Sequence, residues 1–73
     1  MEEELARYRC SSDDGTYLTV VEYRFVHIAR HEGKVRRQLG AARLTLTDGE
    51  PIRYVDPETF EIVRSGELLR RLV

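Results

Sequence analysis

Apolar and polar residues alternate along much of this chain, and turn residues interrupt the alternation at short intervals. A period of two puts one set of side chains on each face of a β-strand, so alternation of this kind marks a strand with one buried face. The interruptions are Asp13-Asp14-Gly15, Asp48-Gly49, Asp56-Pro57 and Ser65-Gly66. Aspartate hydrogen-bonds its own backbone, glycine accepts a left-handed conformation, and proline fixes φ. Short runs between frequent turns predict an all-β fold, an antiparallel meander of five or six strands forming a small roll or barrel.

The individual runs refine this expectation. Tyr8-Arg9-Cys10, a turn over residues 11–15 and the run from Thr16 read as a first hairpin. Residues 17–28 form the longest β-rich run. Val21, Tyr23 and Phe25 share one face there, while Leu18, Val20, Val26 and Ile28 share the other. A strand that changes its buried face is expected to bend or coil, as in small closed sheets. Residues 29–40 are polar and basic and read as a long loop, with room for one helical turn around residues 34–39.

Ala42, Leu44, Leu46, Ile52 and Tyr54 all carry even numbers, so they can face one another only across a loop that pairs positions of even sum. A three-residue loop, Thr47-Asp48-Gly49, pairs Leu44 with Ile52 and Ala42 with Tyr54. It predicts a type I turn with a G1 bulge and Gly49 left-handed. Asp56-Pro57-Glu58-Thr59 carries a type I turn signal. A two-residue Ser65-Gly66 turn would pair Arg64 with Glu67, Ile62 with Leu69 and Glu61 with Arg70. The competing reading of the C-terminal run is a short helix capped by Ser65. The expected core is Leu18, Val21, Tyr23, Phe25, Leu44, Leu46, Ile52, Tyr54, Phe60, Ile62 and Leu69.

Size and composition set limits. The chain has 73 residues and room for one domain spanning residues 1–73. A domain this small buries only about 60% of its unfolded surface and usually needs extra support. Cys10 is the only cysteine, so no internal disulfide can supply it. Hydrophobic residues make up 41% and the net charge is −1, a combination that excludes a disordered chain. No apolar stretch approaches the roughly 18 residues of a membrane span. Met1-Glu2-Glu3-Glu4 is unlike a secretory signal, so a cytoplasmic location is expected.

Charge is segregated. Residues 1–15 carry net −3, residues 16–47 net +4 and residues 48–73 net −2. Arginine outnumbers lysine 11 to 1, which fits either the codon bias of a GC-rich bacterial genome or selection for bidentate anion contacts.

Candidate chemistry is sparse. His27 and His31 with Glu32 have helix-face spacing on what reads as strand, with only Cys10 as a distant third ligand, so no metal or cofactor is expected. Ser11, Ser12 and Asp13 beside Cys10 are what a turn requires, and no nucleophile-elbow or catalytic-cysteine signature is present. Cys10 reads as a small buried hydrophobe. No catalytic residues are assigned, and the expected class is a non-enzymatic interaction or structural module.

Two surfaces are singled out. Arg30, His31, Lys34, Arg36, Arg37 and Arg43 form a basic segment that reads first as a solvated loop, with an anionic or acidic-protein partner and nucleic acid as the alternative readings. Bases would stack on Tyr17, Tyr23 or Phe25 only if that strand face were exposed, and the core assignment above opposes this. Leu68, Leu69, Leu72 and Val73 form an apolar run on a presumed edge strand, where a second copy would add to the sheet and give a homodimer. The rival is a closing strand of a barrel with both faces buried.

Overall fold

The computed structural model describes residues 1–72 and is all-β: a closed antiparallel barrel in which each strand pairs with the next and the last pairs with the first. The strands are β1 (Glu2–Ser12), β2 (Tyr17–His31), β3 (Lys34–Leu46), β4 (Pro51–Asp56), β5 (Thr59–Ile62) and β6 (Leu68–Arg71). The meander expected from the turn spacing is the one formed. No helix occurs among the described residues, in 30–40 or at the C-terminus.

Turn chemistry sets the registers. β3 and β4 join through Thr47-Asp48-Gly49, with Gly49 N–H donating to Leu46 O and Leu46 N–H to Glu50 O, both at 2.9 Å. Gly49 has φ 93°, and Leu44 stands opposite Ile52, as the parity argument requires. Asp13-Asp14-Gly15 repeats the same loop between β1 and β2, with Gly15 at φ 85°. Pro57-Glu58 reverses the chain between Asp56 and Thr59, and Asp56 Oδ1 accepts from Glu58 N–H at 2.8 Å.

The β5–β6 connection differs from expectation. Its loop spans residues 63–66, closed by Ile62 and Glu67, and it pairs Phe60 with Leu69 and Glu61 with Leu68. The tighter turn would have gained exposed charge pairs, each worth a few tenths of a kcal/mol, whereas the longer loop buries Phe60 against Leu69.

The core comprises Cys10, Val20, Ile52, Phe60 and Leu69, flanked by half-buried Tyr8, Leu18, Leu44, Leu46 and Ile62. Val21, Tyr23 and Phe25 belong to the outer face instead, with Phe25 48% exposed. β2 does not change its buried face. Leu18, Val20, Glu22, Arg24 and Val26 all point inward, and the two charged positions among them each take a partner from β1. Tyr8 Oη donates to Glu22 at 2.6 Å and Arg24 donates to Glu3 at 2.8 Å. Tyr54 occupies an inward register position at the barrel mouth and packs edge-on to Phe60, yet it stays 57% exposed. β3–β4 pairing is confined to Leu44–Ile52 and Thr45–Pro51, so the expected Ala42–Tyr54 pair does not form.

The largest departure lies in residues 29–40. They form no loop: β2 and β3 run on as a hairpin to a two-residue turn, Glu32-Gly33, closed by His31 and Lys34. Both turn residues have positive φ, 51° and 75°, the type I′ geometry whose twist matches paired strands.

Candidate functional site

Past the row where Met1 and Val26 exchange backbone hydrogen bonds, β1 no longer flanks β2. Before Leu44, β4 does not flank β3. Residues 27–31 and 34–38 therefore stand alone as a two-stranded ribbon. Five paired rows at ~3.4 Å per residue give it a length of about 17 Å, and it accounts for the elongated 55 × 24 × 21 Å shape.

Bulges on both neighbours of β2 mark the point where barrel becomes ribbon. Leu5 is the extra residue in β1, and Gly40-Ala41 oppose Phe25 in β3. A β-carbon at Gly40 would lie 3.2 Å from the Phe25 carbonyl oxygen, so glycine allows the close approach there. Bulges add local twist and re-aim a strand, and here they turn the hairpin out of the barrel wall.

The register distributes the six basic candidates over two faces. Lys34 opposite His31 and Arg36 opposite Ala29 lie on the outer face, with Gln38 opposite His27 one row further in. Arg43 sits on the same face at the root, opposite Tyr23. Arg30 opposite Val35 and Arg37 opposite Ile28 lie on the face continuous with the barrel interior. All six candidates are exposed.

The inner face is apolar apart from those arginines. Val26 is buried, whereas Ile28, Val35 and Leu39 are exposed. Arg37 is drawn back to the barrel by Glu3, at 2.5 Å from the second oxygen of the carboxylate that also takes Arg24. The Arg24 hydrogen bond, with Arg37 adding charge, holds the Glu3 carboxyl below its usual range. Arg24 Nε is buried without a partner.

The chain of groups at the barrel mouth is largely self-satisfied. The Tyr8 hydroxyl is pushed up from its ordinary value by its hydrogen bond to Glu22 and by burial, so it stays protonated. The Arg71 guanidinium lies 4.3 Å over the Tyr8 ring. These contacts engage the Tyr8 hydroxyl and ring and the Glu22 carboxylate. Burial pushes the Cys10 thiol up as well, which suits a packed hydrophobe.

His27 and His31 share a strand face four residues apart, about 13 Å along the ribbon, too far for one ion. Among the described residues no group of three or more His, Cys, Asp or Glu could hold a metal. No helix is long and apolar enough to cross a membrane.

The C-terminal surface loses its premise. β6 pairs with β5 on one side and β1 on the other, so it is the closing strand and offers no free edge. Leu69 is fully buried and Leu68 and Leu72 remain partly exposed. Val73 lies outside the described residues.

What sequence reading missed was the ribbon and the aromatic pair at its root. Tyr23 and Phe25 pack edge to face at 5.8 Å on the outer surface, beside the basic row. The fold and this site define a small six-stranded antiparallel barrel that carries a protruding basic ribbon. No protein-family model, curated protein or solved structure matches the chain.

Proposed function

We propose that this protein is a non-enzymatic binding module whose contact element is the β2–β3 ribbon and whose partner is an anionic macromolecule. One observation carries the reading: the most basic stretch of the chain stands clear of the barrel. Residues 27–38 hold four arginines and lysines against a single acid, Glu32, while residues 1–15 and 48–73 are net negative. An acidic body with a basic projection is a strong dipole. It approaches a polyanion ribbon first and holds its barrel away.

The support is electrostatic and geometric together. An isolated two-stranded hairpin is marginal in water, so a ribbon without a tertiary partner gains from one. Phe25, expected to be buried, is available at the ribbon root for contact. The test is retention on immobilised heparin, a generic polyanion, as salt is raised. The protein should elute later than an acidic protein of the same net charge. Lys34→Glu/Arg36→Glu should flow through while keeping its circular dichroism spectrum and melting temperature. Arg37 is left untouched in this variant because it pairs with Glu3. No retention of the wild-type protein at low salt would defeat the reading.

A further inference from the structure

Resting on that reading, the geometry points to double-stranded DNA as the partner: we propose that the outer face of the ribbon enters the major groove. Three features of the ribbon select this partner among polyanions.

The first is the chemistry of the outer face. Along β3 it presents Lys34, Arg36 and Gln38, and along β2 His27, Ala29 and His31. Lysine and arginine donate to the N7 and O6 acceptors of guanine, and glutamine matches the N6/N7 pair of adenine. Alternate residues on a strand are ~6.8 Å apart, which is two base-pair steps of ~3.4 Å, so the β3 side chains meet every second base pair.

The second is shape. Two strands ~4.8 Å apart with their side chains make an element roughly 10 Å across, and the B-DNA major groove, about 12 Å wide, admits a two-stranded ribbon. The A-form RNA major groove is too deep and narrow for it. The outer face is also slightly hollow, with a depression of ≈ 330 Å³ lined by Ala29, His31, Glu32, Lys34, Arg36 and Gln38. Ala29 leaves the centre of that face low, so the long side chains around it can reach base edges. Arg30, near the tip on the opposite face, is placed to swing to a flanking phosphate.

The third is the position of the aromatics. Single-stranded nucleic acid is held by bases stacked on exposed rings. Between His27 and Gln38 the ribbon has no Phe, Tyr or Trp, and its only rings are the small imidazoles of His27 and His31. Tyr23 and Phe25 lie behind the bulge and pack against each other. The large rings are thus confined to the root, where Phe25 is 48% exposed, and the length of the ribbon beyond them suits a duplex better than a single strand.

The experiment measures fluorescence anisotropy at low salt with four probes. These are a labelled DNA duplex about two helical turns long, one of its strands, an RNA duplex of the same sequence, and labelled heparin. The DNA duplex should bind at least about tenfold tighter than the single strand or the RNA. Its log K should fall with log salt, by about 0.9 in slope for each phosphate neutralised. Lys34→Glu/Arg36→Glu should lose the DNA binding at least tenfold. Dimethyl sulfate footprinting should show guanine N7 protected by the wild-type protein. Equal affinity for single and double strands, preference for the RNA duplex, or unprotected N7 with DNA bound would each overturn the groove inference while leaving the ribbon as an anion-binding element. Failure to bind any of the four probes, heparin included, would overturn both readings.

Discussion

Leu69→Ala probes whether the barrel is closed as described. Leu69 is fully inaccessible and stands opposite Phe60 on one side and Ser12 on the other, in contact with the Cys10, Val20 and Ile52 cluster. Truncating a fully buried leucine removes its transfer free energy and leaves a cavity, costing about 2–5 kcal/mol, and a short strand held between two neighbours collapses little, so about 3 kcal/mol is expected. For 73 residues, a typical total stability is roughly 4–11 kcal/mol, so the change takes between a quarter and most of it. Urea unfolding followed by far-ultraviolet circular dichroism measures the loss. With a slope near 1 kcal/mol/M for a domain this size, the midpoint should fall by about 3 M, or the variant should be unfolded in buffer. Leu68→Ala is the control. Leu68 is 47% exposed on the opposite face of β6 and should lose less than about 1 kcal/mol. A Leu68→Ala loss equal to or larger than that of Leu69→Ala would mean that β6 presents its other face, and the β5–β6 register would be wrong.

Other outcomes follow from single sites. Gly49→Ala meets no neighbour within 4 Å, so its cost is conformational alone, about 1–2 kcal/mol for a left-handed alanine; a neutral result in thermal melts would reject the bulged loop. The Asp14 carboxylate accepts from Ser12 Oγ and Thr16 N–H and is held down at about 2, against an ordinary 3.8. A depressed folded-state value gives stability that is present above the ordinary value and is lost as pH falls through the folded one. The stability gap between wild type and Asp14→Asn should therefore close between about pH 4 and 2, and a gap independent of pH in that window would refute the contact. Cys10 should react with a disulfide reagent only at the rate of unfolding, because its thiol is buried and its ionisation disfavoured; immediate labelling of the native protein would contradict the core assignment.

Legibility in the sequence followed where local chemistry and burial agreed. The loop at Asp48-Gly49 could be read because every apolar residue around it sits on even positions, and only one loop length keeps them face to face. The ribbon could not be read that way. In residues 27–38 neither face is consistently apolar, since Arg30 and Arg37 interrupt one and Ala29 alone softens the other, so alternation had no phase to report. Its Glu32-Gly33 turn is also an uncommon choice where Asn-Gly or Asp-Gly is the strong signal. On β2, Glu22 and Arg24 interrupt the face that carries Leu18, Val20 and Val26, so alternation favours Val21, Tyr23 and Phe25 instead. The two charged residues point inward and are paired by Tyr8 and Glu3, partners that lie 14 and 21 residues away and leave no local trace. The basic candidates were legible as a group, while their division between two faces needed the register.

The strand order has a kinetic meaning. Five of the six pairings join neighbours in sequence across loops of two to four residues. Hairpins of this kind form on the microsecond scale, because little chain entropy is lost in closing each one. The sixth, β1 with β6, joins Cys10 to Arg71 and Ser12 to Leu69 through only three paired positions. Nearly the whole chain must be gathered before this seam can close, so the largest loop-closure entropy falls on β1–β6 pairing. The ribbon takes no part in the seam, yet its Glu32-Gly33 turn is the short loop across which β2 and β3, the longest pair in the barrel, come together.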